Sequence, residues 1–263
     1  MKNIQRIRPV HCRTVWISDV HLGYRGCSAK YLLEFLRATE CDYLYLVGDI
    51  IDFWSMKRKP FWPQAHNNVI RTILGKAKHG TRVVYVPGNH DHNLREYDGV
   101  EFGNVRIANE AIHTGVDGRR FLVLHGDQFD SVVRASPLIA SLGSHAYDLL
   151  LRLNRHVNWV RSKLGKPYWS LAAFLKHKVK NAVQYISSFE QAVAHEAARH
   201  GVDGVVCGHI HRAEIEKLGD VLYCNCGDWV ESCTALIEHH DGSFELMHWS
   251  DKVQSRKHLK DAA

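Results

Sequence analysis

Five segments of the chain place aspartate, asparagine or histidine directly after an apolar run. Asp19-Val20-His21 follows TVWIS, Gly48-Asp49 follows YLYLV, and Asn89-His90-Asp91 follows RVVYV through Pro87 and Gly88. His125-Gly126-Asp127 follows FLVL, and Gly208-His209-Ile210-His211 follows GVVC. Carboxylate, imidazole and amide oxygen together suit divalent metals such as Mn, Fe, Zn or Co. Asp19, His21, Asp49, Asn89, His125, His209 and His211 supply enough donors for two ions if one carboxylate bridges. Two ions about 3.5–4 Å apart can clamp both sides of an in-line displacement at phosphorus. Each segment alone reads as something ordinary: a turn, a strand exit, a polar surface. Burying such groups unpaired at the end of five core strands would be costly, so their recurrence favours a metal site.

The elements that must position these residues follow from the same runs. Continuous apolar stretches of four to six residues bounded by Gly and Pro read as strands buried on both faces. Between the early ones, SAKYLLEFLRATE reads as a helix capped by Ser28, and NNVIRTILGKAKHG as a helix closing on Gly80. Alternating strand and helix implies βαβ units and a largely parallel sheet. In open α/β sheets, groups at the carboxyl ends of strands converge in one crevice, which is where all five segments lie. After residue 211, AEIEKL, VLYCN, CTALIEH and SFELMHW read as short strands of an antiparallel or mixed second half. Residues 132–188 have helical periodicity and a basic-aromatic composition, as a helical insertion between two core strands would. Ser187 and Glu190 read as a capping box opening a helix that stops at Gly201.

A chain of 263 residues with 45% hydrophobic and 24% charged composition is an ordinary α/β domain in size and type. Its net charge of +6 suits a phosphorylated substrate or an anionic membrane surface. Nineteen histidines make chance pairs common, so spacing and context must carry the argument. No apolar run reaches the roughly 18 residues of a membrane span. The first residues lack the apolar core of a secretory signal, which leads to the expectation of a cytoplasmic protein with reduced thiols. The seven cysteines lack zinc or disulfide-framework spacing, and Cys224 and Cys226 read as neighbours on a strand. No nucleic-acid-binding module is legible, which argues against a nuclease.

The order D-x-H, GD, GNH-D, H, GH-x-H resembles the calcineurin-like metallophosphoesterase superfamily over about residues 13–240, interrupted by the insertion. The resemblance implies a four-layer αββα sandwich of two mixed sheets, spanning residues 10–250 and carrying 132–188 as a lid. It implies two divalent ions, manganese first among the metals named above. One ion would take Asp19, His21 and His211, the other Asn89, His125 and His209, with Asp49 bridging. His90 would stand beside the scissile phosphate as the catalytic side chain, its imidazole held by Asp91, while hydroxide generated at the cations attacks phosphorus.

Within that superfamily, ISDVHLG, GDIIDFW, HGDQFD and YCNCGDWVESCTAL resemble the UDP-2,3-diacylglucosamine pyrophosphatases of the lipid A pathway. This implies hydrolysis of a pyrophosphate in that or a related lipid or nucleotide substrate, with the insertion covering acyl chains. Asn89 and His90 would then contact phosphate, Asp130 the sugar, and Lys178 and Lys180 phosphate or an anionic membrane. The expected location is cytoplasmic, with peripheral contact at the inner membrane. One departure matters: those enzymes read GNRD where this chain has His90. A phosphomonoester leaving group, with a second pKa of about 6, needs little protonation, whereas an alkoxide benefits from a histidine acid. His90 therefore keeps a broader phosphodiesterase or phosphatase as the alternative.

Overall fold

Strand β1 (Val10–Ile17) pairs in parallel with β2 (Thr39–Val47), and β2 in parallel with β3 (Arg82–Val86). The computed structural model that shows this describes residues 9–130, 158–166 and 180–252. The first sheet continues from β3 to β5 (Val105–Ile107) and β4 (Glu101–Phe102) on one side. On the other side β1 pairs antiparallel with β11 (Thr234–Glu238), which pairs with β12 (Phe244–His248). The second sheet has the order β6 (Ala111–Thr114), β7 (Arg120–Val123), β8 (Gly204–Cys207), β10 (Val221–Asn225), β9 (Glu214–Leu218). Both sheets mix parallel and antiparallel pairs, as expected.

Side chains alternate across a strand, and β1 shows what each face buries. Val15 and Ile17 pack outward with helices α1 (Ala29–Ala38) and α3 (Gln64–Lys78), through Leu32, Phe35 and Val69. Trp16 faces inward and meets Tyr45, Val86, Phe121, Val206 and Leu236 between the two sheets. Helix α4 (Lys180–Arg199) covers the second sheet by packing Phe189, Val193 and Ala197 on Leu122, Val205 and Tyr223. The layers are therefore helix, sheet, sheet, helix.

The helix ends differ from their sequence reading in two places. Ser28 precedes α1 but makes no side-chain cap; its hydroxyl donates to Val230 O and its backbone N–H to Trp229 O. Ser187 and Glu190 do not open a helix, because α4 already runs from Lys180 with no Gly or Pro to interrupt it. Glu190 instead accepts from Arg212 at 2.7 Å. Gly80 does follow α3 with φ +104°, a left-handed stop that its missing Cβ permits.

A buried polar knot joins the sheets at Glu238 on β11. Its carboxylate accepts from Arg13 at 2.9 Å, Thr14 at 2.8 Å, the Val116 N–H at 2.9 Å and His113 Nε2 at 2.9 Å. Burial opposes its charge, but the bonds from His113, Thr14 and Val116 prevail and hold its pKa at about 2.

Of the expected insertion, residues 158–166 and the start of α4 are described. Trp159 there is 57% exposed, with Lys163 Nζ 4.2 Å from its ring centroid. Lys178 and the side chain of Lys180 lie outside the described residues, as do Trp169 and Phe174. All seven cysteines are free. Among the described residues no helix is long and apolar enough to cross a membrane.

Candidate metal centre

The loops after β1, β2, β3, β7 and β8 interlock at one end of the sandwich. Asp19 donates its backbone N–H to Gly48 O, His21 to Asp49 O, and Gly208 to His125 O, at 2.8–3.1 Å. Asp19, His21, Asp49, His209 and His211 all hold positive φ angles, between 51° and 68°. Non-glycine residues rarely adopt this backbone, and such strain clusters at functional sites. Here it occurs at three strand ends, after β1, β2 and β8, whose side chains line one crevice. A Cβ on Gly88 would collide with the Asp49 carboxylate and the His125 ring, so a glycine is required where β3 passes the cluster.

Asp49 lies at the centre. Its Oδ2 is 3.5 Å from His125 Nε2, 3.8 Å from His21 Nε2 and 3.9 Å from His90 Nε2. Asp19 Oδ1 is 3.1 Å from His211 Nε2 and 4.0 Å from His21 Nε2. Asp19, His21 and His211 form one group able to hold a cation, and Asp19, Asp49 and His125 another. A third, His21 with Asp49 and His90, includes the expected catalytic histidine. Donors that share an ion at about 2.0–2.2 Å must lie within roughly 4.4 Å of each other, as these pairs do.

The donor atoms themselves test whether metal fits. Asp19 Oδ1, His21 Nε2, Asn89 Oδ1 and His125 Nε2 are buried and without a hydrogen-bond partner. Buried polar atoms are normally bonded, so four such orphans, three of them within the candidate metal groups, mark a place for cations. Three of the histidines have one ring nitrogen fixed by a hydrogen bond. His125 Nδ1 donates to Val47 O at 3.0 Å, and His21 Nδ1 to Asp52 Oδ2 at 3.3 Å. His209 Nε2 donates to Asp130 at 2.8 Å, which leaves Nδ1 as its free nitrogen.

The charges hold one another. Burial opposes charge on His125 and His21, but Asp49 for the first and Asp52, Asp49 and Asp19 for the second raise their pKa values to about 10 and 9. Burial likewise opposes the Asp19 carboxylate, and His211 outweighs it, leaving a pKa of about 2. A cation entering here displaces protons from the imidazoles.

Asp91 does not hold the His90 ring. It is fully buried and accepts from the backbone N–H groups of Gly88, Asp49, Ile50 and Ile51 and from the Tyr85 hydroxyl. It braces the loops carrying Asp49 and Asn89. The group that holds His90 is Asp52, whose Oδ1 accepts from His90 Nδ1 at 2.9 Å. Asp52 thus joins His21 and His90 by one oxygen each. It also caps helix α2 (Phe53–Arg58), accepting from Ser55 N and Ser55 Oγ at 2.7 Å. Its signal in the sequence was the spacing Asp49-x-x-Asp52 in GDIIDFW, followed by a helix start. Asp130, expected at the sugar, bonds His209 and the Tyr185 hydroxyl.

A cleft of about 320 Å³ opens over the cluster, lined by His21, Asn89, His90 and His211 together with Ser55 and Arg58 of α2. Trp54 leans on His90 with ring centroids 4.3 Å apart.

The family model described as calcineurin-like phosphoesterase matches residues 12–213. A UDP-2,3-diacylglucosamine hydrolase from Vibrio atlanticus (strain LGP32) is 24% identical over 257 residues, covering 89% of this chain and 96% of its own. That of Stenotrophomonas maltophilia (strain K279a) is 28% identical over 246 residues, covering 85% and 93%. The solved structure of a phosphoesterase from E. coli superposes with a TM-score of 0.42 at 14% identity, over 89% of this chain and 98% of that one.

Proposed function

The chain belongs to the calcineurin-like phosphoesterase family, and from that premise we propose that it is a two-metal hydrolase of the pyrophosphate in UDP-2,3-diacylglucosamine or a related lipid or nucleotide ester. The observation that carries the metal assignment is the set of orphaned donor atoms around Asp49. Asp19, His21 and His211 would hold one ion and Asn89, His125 and His209 the other, with Asp49 between them. Manganese is the first choice for both. The substrate assignment draws on the relatives of that name, which align over 85–89% of this chain.

Bound there, two cations supply Lewis acidity toward the phosphoryl oxygens and activate water near neutral pH. The protein residues do the rest. Asp52 accepts hydrogen bonds from the Nδ1–H groups of both His21 and His90, which leaves Nε2 of each ring free, on His21 to ligate a cation. His90 can hold a proton at Nε2 and deliver it to the leaving oxygen. Trp54 covers the ring of His90 and limits its motion. Asp91 fixes the backbone from which Asp49 and Asn89 project, so the donors stay aligned as charge develops. Residues 132–188 would close over the acyl chains, and Lys178 and Lys180 would meet phosphate or an anionic membrane.

The fixed imidazole also favours a second reading, a broader phosphodiesterase whose alkoxide leaving group needs that proton. Turnover of UDP-2,3-diacylglucosamine and of an aryl phosphodiester with Mn²⁺, with product identification, separates the two. UMP and the acylated sugar phosphate as products support the first reading; cleavage of the aryl ester alone supports the second.

A further inference from the structure

The rim of the cleft at the end of α2 has a composition that the metal chemistry does not require. From Phe53 to His90 the chain carries no aspartate or glutamate. Lys57, Arg58 and Lys59 stand in succession there, all exposed, and their side chains make no ion pair among the described residues. Trp54 before this run is 44% exposed, and Trp62 after it is 41% exposed.

One histidine pins the turn that follows α2. Phe61 and Trp62 both set their rings edge-on to His66, with centroids 5.5 Å away. His66 is buried, which pushes its pKa down, and its unprotonated Nδ1 accepts from the Gly23 N–H at 3.0 Å. Arg25, exposed two residues on, lies with its guanidinium 4.4 Å from the Phe61 ring centroid. The segment from Gly23 to Arg25 and the turn after α2 thus form one surface, which Tyr24 and Arg58 carry to the lining of the cleft.

Tryptophans beside clustered cations suit the headgroup layer of a bilayer, where the indole sits at the boundary and the cations meet anionic lipid. A polynucleotide would instead need a basic groove that tracks its backbone, and three successive cations at one turn offer only a point of contact. We infer that this rim, Arg25 with residues 57–62, docks the protein on an anionic lipid bilayer, with the mouth of the cleft beside the membrane surface. A lipid ester then reaches the cleft without carrying its acyl chains through water. The inference rests on the lipid-ester reading above and adds the face of the protein that meets the membrane.

Sedimentation of the full chain with vesicles of phosphatidylcholine, alone and mixed with phosphatidylglycerol, tests it. The mixed vesicles should bind the protein more tightly than the neutral ones, and added salt should weaken that binding. Lys57→Gln combined with Lys59→Gln should lower the affinity about 30-fold, the effect of two charges at an anionic surface. The same variant should turn over a soluble aryl phosphodiester at the wild-type rate. Trp62→Ala should weaken vesicle binding at low and high salt alike, because its contribution is apolar. Equal binding to neutral and mixed vesicles, or unchanged affinity in the lysine variant, overturns the docking surface. Wild-type protein that binds a single-stranded oligonucleotide and not the mixed vesicles overturns it as well, in favour of nucleic acid. Vesicle binding involves no turnover, so its failure leaves the hydrolase reading intact, and failure to hydrolyse UDP-2,3-diacylglucosamine leaves this surface standing.

Discussion

Replacing Asp52 separates its two duties. As the cap of α2 its side chain accepts from Ser55 N at 2.7 Å; as an orienting group it accepts from His21 and His90 at 3.3 and 2.9 Å. Asparagine caps a helix as well as aspartate does, whereas alanine loses about 1 kcal/mol. In a chain of this size that is worth roughly 2–4 °C of melting temperature. Loss of a carboxylate behind a metal-bound histidine typically costs about 10–100-fold in metal affinity or activity. Asp52→Asn should therefore melt near the wild-type temperature yet bind Mn²⁺ about 10–100-fold more weakly. At saturating metal its kcat should still be depressed, because His90 has lost its orienting partner too. Asp52→Ala should show the same functional losses together with the lower melting temperature. Calorimetric metal titration, kcat at saturating Mn²⁺ and thermal melts read the three quantities separately. An Asp52→Asn variant with wild-type metal affinity and kcat would refute the orienting role, whatever its melting temperature.

Asp49→Ala should lower metal content more than His211→Ala, since Asp49 serves both proposed ions; full occupancy on metal analysis would remove the bridge. His90→Ala should keep both metals and lose about 10²–10⁴-fold in rate, the range of general acid catalysis; loss of a metal would instead make His90 a ligand, as its 3.9 Å approach to Asp49 allows. Glu238→Gln should destabilise the fold by about 3 kcal/mol at pH 7, because a carboxylate with a folded pKa of about 2 against an ordinary glutamate value of about 4.5 stabilises the protein above that pH. That contribution fades as pH falls from 4.5 toward 2, so denaturant melts of wild type and variant should converge there; a gap independent of pH would show that charge is not its source. Trp159→Ala should raise KM for an acylated substrate and leave a small aryl ester unaffected if the insertion covers acyl chains; equal losses on both would end the lid reading.

The Asp/His cluster proposed to hold metal was legible because its local and global signals agree. RVVYV and GVVC are β-branched runs that only a strand buried on both faces explains, and glycine marks the carboxyl end of each. Since parallel strands align those ends, reading the strands already places the ligands together. The short strands β4 to β6 gave no such signal: they are two to four residues long and partly exposed, so no hydrophobic period forms. The helix cap assigned to Ser187 failed for a related reason. A Ser-x-x-Glu spacing inside an uninterrupted helical pattern says nothing about where the helix starts.

The exchange of Asp91 for Asp52 has a more instructive cause. Asp91 is next to His90 in sequence, and adjacency suggested contact. Adjacent residues leaving a strand point in different directions, however, and Asp91 turns into the core to collect backbone N–H groups. Burial and the neighbouring Asp49 charge push its pKa up, while the bonds from the Tyr85 hydroxyl and Gly88 N–H oppose the rise. Asp52 comes from a different strand end, 38 positions away, and reaches His90 because the loops after β2 and β3 touch: Phe53 N donates to His90 O at 3.2 Å. The candidate ligands were readable because a metal would demand particular side-chain types at particular strand ends. The residues that orient those ligands answer only to distance in the folded chain, and a carboxylate doing that work looks in sequence like an ordinary helix cap.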